Sequence, residues 1–178
     1  MKKIFSILVT LLISAILNSV NARDNSAAFN SAGFENIYRD DNETSTARDA
    51  AIVSMSVLRD FAKSFKNVTN EKWYKVSDGF MASFNDNGIE TKVAYDRKGV
   101  FHCVLRILSE SQLPADIRAI VKSKYYDFKI LVAYEITHDS DPAYIFKIED
   151  SKRLKMLRVA DGEIEVVTDN TKGRIAVD

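Results

Sequence analysis

His102 and Cys103 are neighbours, and a thiol beside an imidazole is the pair that a cysteine nucleophile uses. Their spacing argues against that use. Adjacent side chains on a strand point to opposite faces, which gives a buried structural Cys103 and a surface His102. His138 is the only other histidine, with Asp139 and Asp141 beside it. Two histidines without a clustered carboxylate make a thin metal site, and Asp139-Ser140-Asp141-Pro142 reads first as a turn. Asp86-Asn87-Gly88 with Glu90 has some of the composition of a calcium loop. It lacks acidic ligands at alternate positions and a closing bidentate glutamate, so a hairpin turn explains it better. The chain has no phosphate-binding glycine loop, serine nucleophile elbow or zinc signature. No metal and no cofactor are expected, and no constellation for catalysis stands out.

Recognition is the chemistry left. Trp73, Tyr74, Tyr125, Tyr126, Phe128, Tyr134 and Tyr144 could build a contact surface, since Trp, Tyr and Arg dominate interface hot spots. Most aromatic residues in strands are simply core, so the elements decide which of these are available.

A helix is expected from about Ala50 to Lys66. Ile52, Met55, Leu58, Phe61, Ala62 and Phe65 recur at three- and four-residue spacings, with Arg59, Asp60, Lys63 and Lys66 on the other side. Strand-like runs follow at Glu71–Ser77, Phe80–Phe84, Glu90–Asp96 and Val100–Leu108, separated by Asp-Gly, Asn-Gly and Lys-Gly turns. Leu113-Pro114 opens a second helix with Ile117, Ile120, Val121 and Tyr125 on its stripe, proline being well placed at a first helical position. Lys129–His138, Ala143–Glu149, Arg153–Val159 and Glu163–Thr168 are the next strands. Connections this short force antiparallel neighbours.

Alternation then sorts the faces. Phe80, Ala82 and Phe84 share a side, as do Thr91, Val93 and Tyr95, and Phe101, Cys103, Leu105 and Ile107. That side should meet the helix, and the mixed side should face water or a partner. Tyr74, Met81, His102 and Arg106 are the binding candidates on the outward phase. The phase of Glu71–Ser77 is ambiguous, because Trp73 and Tyr74 are both large.

The second half resembles the first. Phe61-Ala62-Lys63-Ser64 matches Ile120-Val121-Lys122-Ser123, 59 residues on, and Gly99 matches Gly162, 63 residues on. The expected fold class is α+β, built as two tandem helix-plus-four-stranded antiparallel units at about 52–108 and 113–168. They lie within a duplicated domain at 51–169, followed by a polar tail at 170–178.

Ahead of this domain, Lys2 and Lys3, the uncharged run Ile4–Leu17 and the small-x-small site Val20-Asn21-Ala22 read as a signal peptide over residues 1–22. The apolar run is shorter than the ~20 residues of a spanning helix, so export without stable membrane insertion is expected, to the periplasm or beyond. Removal of 22 residues from 178 leaves 156, enough for one domain with a core. It also removes two lysines and no acid, taking net charge from 0 to −2, which is no footprint for nucleic acid. Cys103 is the only cysteine, so no intrachain disulfide contributes. Residues 23–50 are polar apart from Phe29, Phe34, Ile37 and Tyr38. They read as a flexible arm or as a short helix around Phe34–Tyr38 that docks on the domain.

Asn70-Glu71-Lys72-Trp73-Tyr74-Lys75, Phe80-Met81-Ala82-Ser83-Phe84, Ala94-Tyr95-Asp96-Arg97-Lys98-Gly99 and a helix from Leu113-Pro114 to Tyr125 occur in an order that resembles the PepSY-like group. These are small exported bacterial proteins described as β-lactamase-inhibitor-like (BLIP-like). The resemblance spans about residues 52–168. It implies a layered α+β domain with an exposed sheet face and supplies no catalytic residues. With the residue-level reading, it implies a non-enzymatic binding module for an unidentified protein or peptide, inhibitory towards an enzyme such as a peptidase. The alternative is a periplasmic small-ligand or envelope-stress binding protein, with the ligand between sheet and helices. A hydrolase would need clustered acids that the alternation does not show.

Overall fold

Ser54 fixes where the first helix begins. Its hydroxyl accepts the Val57 N–H at 3.4 Å, and α1 runs Met55–Ser64 until Phe65 turns extended. The structure is a computed structural model describing residues 53–76, 79–138 and 141–172. The expected signal peptide and arm, together with Ala50 to Ile52, lie outside the described residues. The stripe of α1 is centred on buried Val57 and Phe61, while Met55, expected on it, is exposed.

Strands β1 (Thr69–Val76), β2 (Gly79–Asp86), β3 (Ile89–Asp96) and β4 (Phe101–Leu108) follow. A single 3-10 turn (Glu110–Gln112) leads into α2 (Ala115–Lys124), then β5 (Lys129–His138), β6 (Asp141–Glu149), β7 (Arg153–Ala160) and β8 (Glu163–Thr171). Pro114 sits at the cap of α2, one position before its expected place, and its carbonyl accepts the Arg118 N–H at 2.9 Å. Strand β8 continues to Thr171, past the expected end of the domain at residue 169.

The expected pair of tandem helix-plus-four-strand units is corrected by the strand pairing. All eight strands form one antiparallel sheet in the order β1 to β8, with two α-helices among the described residues. The join is β4 with β5, from Val104 opposite Thr137 to Leu108 opposite Ala133. Two separate sheets would leave two more strand edges with unpaired N–H and C=O groups, and this pairing removes them. Alternation within each strand carries no information about which strands pair across a helical connection, so the division into units was not readable.

Both helices pack on the same face of the sheet. Around α1, Val57 and Phe61 meet Trp73, Ala82, Phe84, Val93 and Tyr95. Around α2, Val121 meets Leu108, Tyr144, Phe146, Leu157 and Val159. Gly79 is required by a close approach, since a Cβ there would sit 1.9 Å from the Tyr95 carbonyl oxygen. Asn87 and Gly88 both take positive φ (51° and 85°), as a two-residue hairpin turn demands.

One expected face assignment is corrected by a bulge. Tyr95 pairs with Phe101 but Ala94 pairs with Cys103, so His102 is an extra residue in β4. Phe101 therefore stays on the helix side with Val104, while Cys103, Leu105 and Ile107 pass to the opposite face.

Candidate functional site

The helix-free face of the sheet carries its own apolar centre. Cys103, Leu105, Tyr134, Ile136, Ile145 and Met156 are buried there with Val76, Met81 and Ala94. Strand register lays them out in rows. Tyr74, Met81, Ala94 and Cys103 stand side by side across β1–β4, and Ile107, Tyr134, Ile145 and Arg158 across β4–β7. Two lysines sit within this surface. Lys92, between Ser83 and Leu105, is 4% exposed, with the Glu90 carboxylate 3.8 Å away. Lys147, between Val132 and Met156, is half-buried, and loss of hydration lowers its pKa. Burial pushes the Cys103 thiol up to about 11, so near neutral pH it is protonated and a poor nucleophile. Burial also raises the Tyr134 phenol, with Glu90 adding to the effect.

A polar cluster lies on the opposite face, between the two helix-centred cores. Thr91, Arg106, Glu135 and Tyr144 face one another across β3–β6. The Arg106 guanidinium is 3.4 Å from Glu135 and 3.7 Å from Asp86, and the Tyr144 hydroxyl donates to Glu135 at 2.9 Å. Burial raises the Tyr144 pKa, and its bond to the carboxylate raises it further. The buried Arg106 Nε has no hydrogen-bond partner among the described residues. The cluster ties β2, β4, β5 and β6 together, and its two carboxylates, Asp86 and Glu135, are already engaged by Arg106 and Tyr144.

The four sequence candidates do not form one site. Tyr74 and Met81 are direct neighbours on the helix-free face, Tyr74 half-buried and Met81 buried. The large neighbour Trp73 points to α1 and stacks edge-on to Phe61 at 5.2 Å, which settles the phase of β1. His102 is exposed at the bulge, where its carbonyl oxygen meets His138 Nδ1. Arg106 belongs to the polar cluster on the other face. Among the described residues, no three His, Cys, Asp or Glu side chains are grouped to hold a metal.

Sequence reasoning missed Lys92, Ile136 and Ile145 on the helix-free face. A signal was present in Ala143-Tyr144-Ile145-Phe146, which is apolar on both phases. Such a run belongs to a strand covered on both sides, unlike the clean alternation of a half-solvated sheet.

No family model and no curated protein matches the chain. Solved structures do. A BLIP-like protein from Bacteroides fragilis is similar at 16% identity and a TM-score of 0.55, over 70% of this chain and 92% of that one. A DUF2874 family protein from Bacteroides ovatus is similar at 15% identity and 0.55, over 67% and 87%. A Bacteroides eggerthii protein provisionally described as periplasmic is similar at 14% and 0.54, over 67% and 88%. At these identities the likeness is one of fold. It supports a BLIP-like fold family, and the PepSY-like resemblance is not shown by it. Among the described residues no helix is long and apolar enough to cross a membrane.

Proposed function

We propose that this chain is an exported, non-enzymatic binding module whose helix-free sheet face takes a protein or peptide partner. Inhibition of an enzyme such as a peptidase is the form this binding would take. The observation that carries the reading is the second apolar centre at Met81, Leu105, Tyr134 and Ile145, on the face opposite both helices. A sheet needs one covered face to fold, and the helices already cover one. The BLIP-like and provisionally periplasmic neighbours support a periplasmic binding-type module. The small-ligand alternative has no comparable support, because Val57, Val121, Phe146 and Leu157 fill the space between helices and sheet with no exposure.

Site-specific photo-crosslinking in the native cell envelope tests the proposal. A photoreactive phenylalanine analogue at Tyr74 should trap one reproducible partner. The same analogue at Tyr126, which is 81% exposed after α2 on the helix side, should not. Partner capture at residue 126 alone, or at neither position, would overturn it.

A further inference from the structure

We propose that the two open edges of the sheet pair between copies of this chain, β8 of one molecule adding to β1 of the next. Glu165 then lies opposite Lys72, and Val166 enters the groove between β1 and α1. Strands β1 and β8 are the outer strands of the sheet. An outer strand leaves every second residue with its N–H and C=O turned away from its one neighbour. In β8 these residues are Ile164 and Val166. Asp161 and Gly162 form a two-residue turn at positive φ, which closes on the hydrogen-bonded pair Ala160 and Glu163 and so fixes the phase. Val76 opposite Gly79 sets the phase of β1 in the same way and turns Trp73 and Lys75 outward.

Charge selects which edges meet. Strand β1 carries Lys72 and Lys75, both exposed, and its one acid, Glu71, accepts the Trp73 indole N–H at 2.6 Å. Strand β8 carries Glu163 and Glu165, both exposed, ahead of its bulge. Charges along an outer strand repel a second strand of the same kind. That disfavours β1 against β1 and β8 against β8, and it leaves the mixed pair attractive. Glu165 keeps Arg158 on its own sheet at 3.4 Å, yet its side chain is 66% exposed, so a second cation can approach it.

Shape agrees with charge. An open groove of about 620 Å³ runs beside β1, lined by Leu58, Ala62 and Phe65 of α1 and by Val68 just before the strand. At the opposite edge Val166 is 46% exposed, on the helix side of the sheet with Ile164. Setting Ile164 against Trp73 joins two outward-facing residues. It places Glu165 against Lys72 on the helix-free side and Val166 level with Glu71, which borders the groove. Eight strands alternating in direction make β1 and β8 antiparallel, so the added strand continues the sheet. The contact is head-to-tail, and each copy keeps one open edge from which the assembly extends.

The paired stretch is short, so association shows at high concentration. In sedimentation velocity, the weight-average coefficient of the exported protein should rise with concentration. Lys72→Glu and Glu165→Lys should each weaken association about tenfold by setting like charges opposite one another. Lys72→Glu/Glu165→Lys in one chain should restore it. A wild type that stays monomeric to roughly 1 mM, the weak end of specific affinity, overturns the inference. So does association that the single reversals leave unchanged, or that the double reversal fails to restore. If a reversal disturbs the near-ultraviolet dichroism of the fold, disulfide trapping decides. Lys72→Cys and Glu165→Cys proteins would be mixed under oxidation, with wild type reporting any contribution from Cys103. Residues 72 and 165 would form a non-hydrogen-bonded pair with Cα atoms ~4.5 Å apart, within disulfide reach. A 72–165 link that forms faster than 72–72 or 165–165 upholds the inference, and equal rates overturn it.

Discussion

The Asp96 carboxylate accepts the backbone N–H groups of Lys98 and Val100 at 2.7 and 2.8 Å, and Asp150 accepts those of Lys152 and Arg153 at 2.7 and 2.5 Å. The Val100 bond leads in holding Asp96 below the usual carboxylate range, and the Lys152 bond leads for Asp150. The unfolded chain then takes up protons at a higher pH than the folded one. The stability these groups contribute is present above the ordinary carboxylate pKa and is lost as pH falls through the lower folded values. Urea midpoints should therefore decline below about pH 4. The Asp96→Asn/Asp150→Asn variant should show a shallower decline, and an unchanged profile would refute the assignment. Gly79→Ala is expected to cost more than the ~1–3 kcal/mol of ordinary overpacking, because the clash is with the backbone at Tyr95; chemical denaturation measures it. Turn chemistry at this scale was legible, since Asn87-Gly88 declares its hairpin. The side of the sheet reached by Arg106 was not, because nothing at His102 announces an extra residue in β4.

Single elements are held by a few contacts. Phe61 on α1 meets Trp73 and Phe84 edge-on, with centroids at 5.2 and 5.1 Å. Phe61→Ala should destabilise the fold by about 3–5 kcal/mol, read from urea unfolding followed by Trp73 fluorescence. Glu135 joins β4, β5 and β6 through Arg106 and Tyr144. Glu135→Ala should cost about 1–3 kcal/mol by leaving the Tyr144 hydroxyl without its acceptor, while Arg106 keeps the Asp86 carboxylate, and a double-mutant cycle with Tyr144→Phe should show coupling between residues 135 and 144. The helical stripe around Phe61 could be read from spacing, but the start of α1 is set by the Ser54 cap and not by the stripe. Strands with clean alternation, such as β2, showed their inner face in the sequence. Strand β6 did not, because Tyr144 and Phe146 serve one face while Ala143 and Ile145 serve the other.

Across the whole molecule, the pairing of β4 with β5 makes one sheet and two helix-capped cores into a single structural unit. Calorimetry should accordingly give one transition, with van't Hoff and calorimetric enthalpies equal; two resolved transitions would mean that the halves melt independently. The sequence resolved both helices and all eight strands but not this join, which depends on contacts far apart along the chain. The same join has a consequence in time. Every other neighbouring pair of strands is connected by two to four residues, whereas β4 and β5 are separated by the twenty residues 109–128. Hairpin contacts close quickly, and long loops must first lose their closure entropy. The two four-stranded meanders can therefore form early and independently, with the β4–β5 seam zipping last. Substitutions at Ile107 or Tyr134 on that seam should then act mainly on the unfolding rate, leaving the folding rate nearly unchanged.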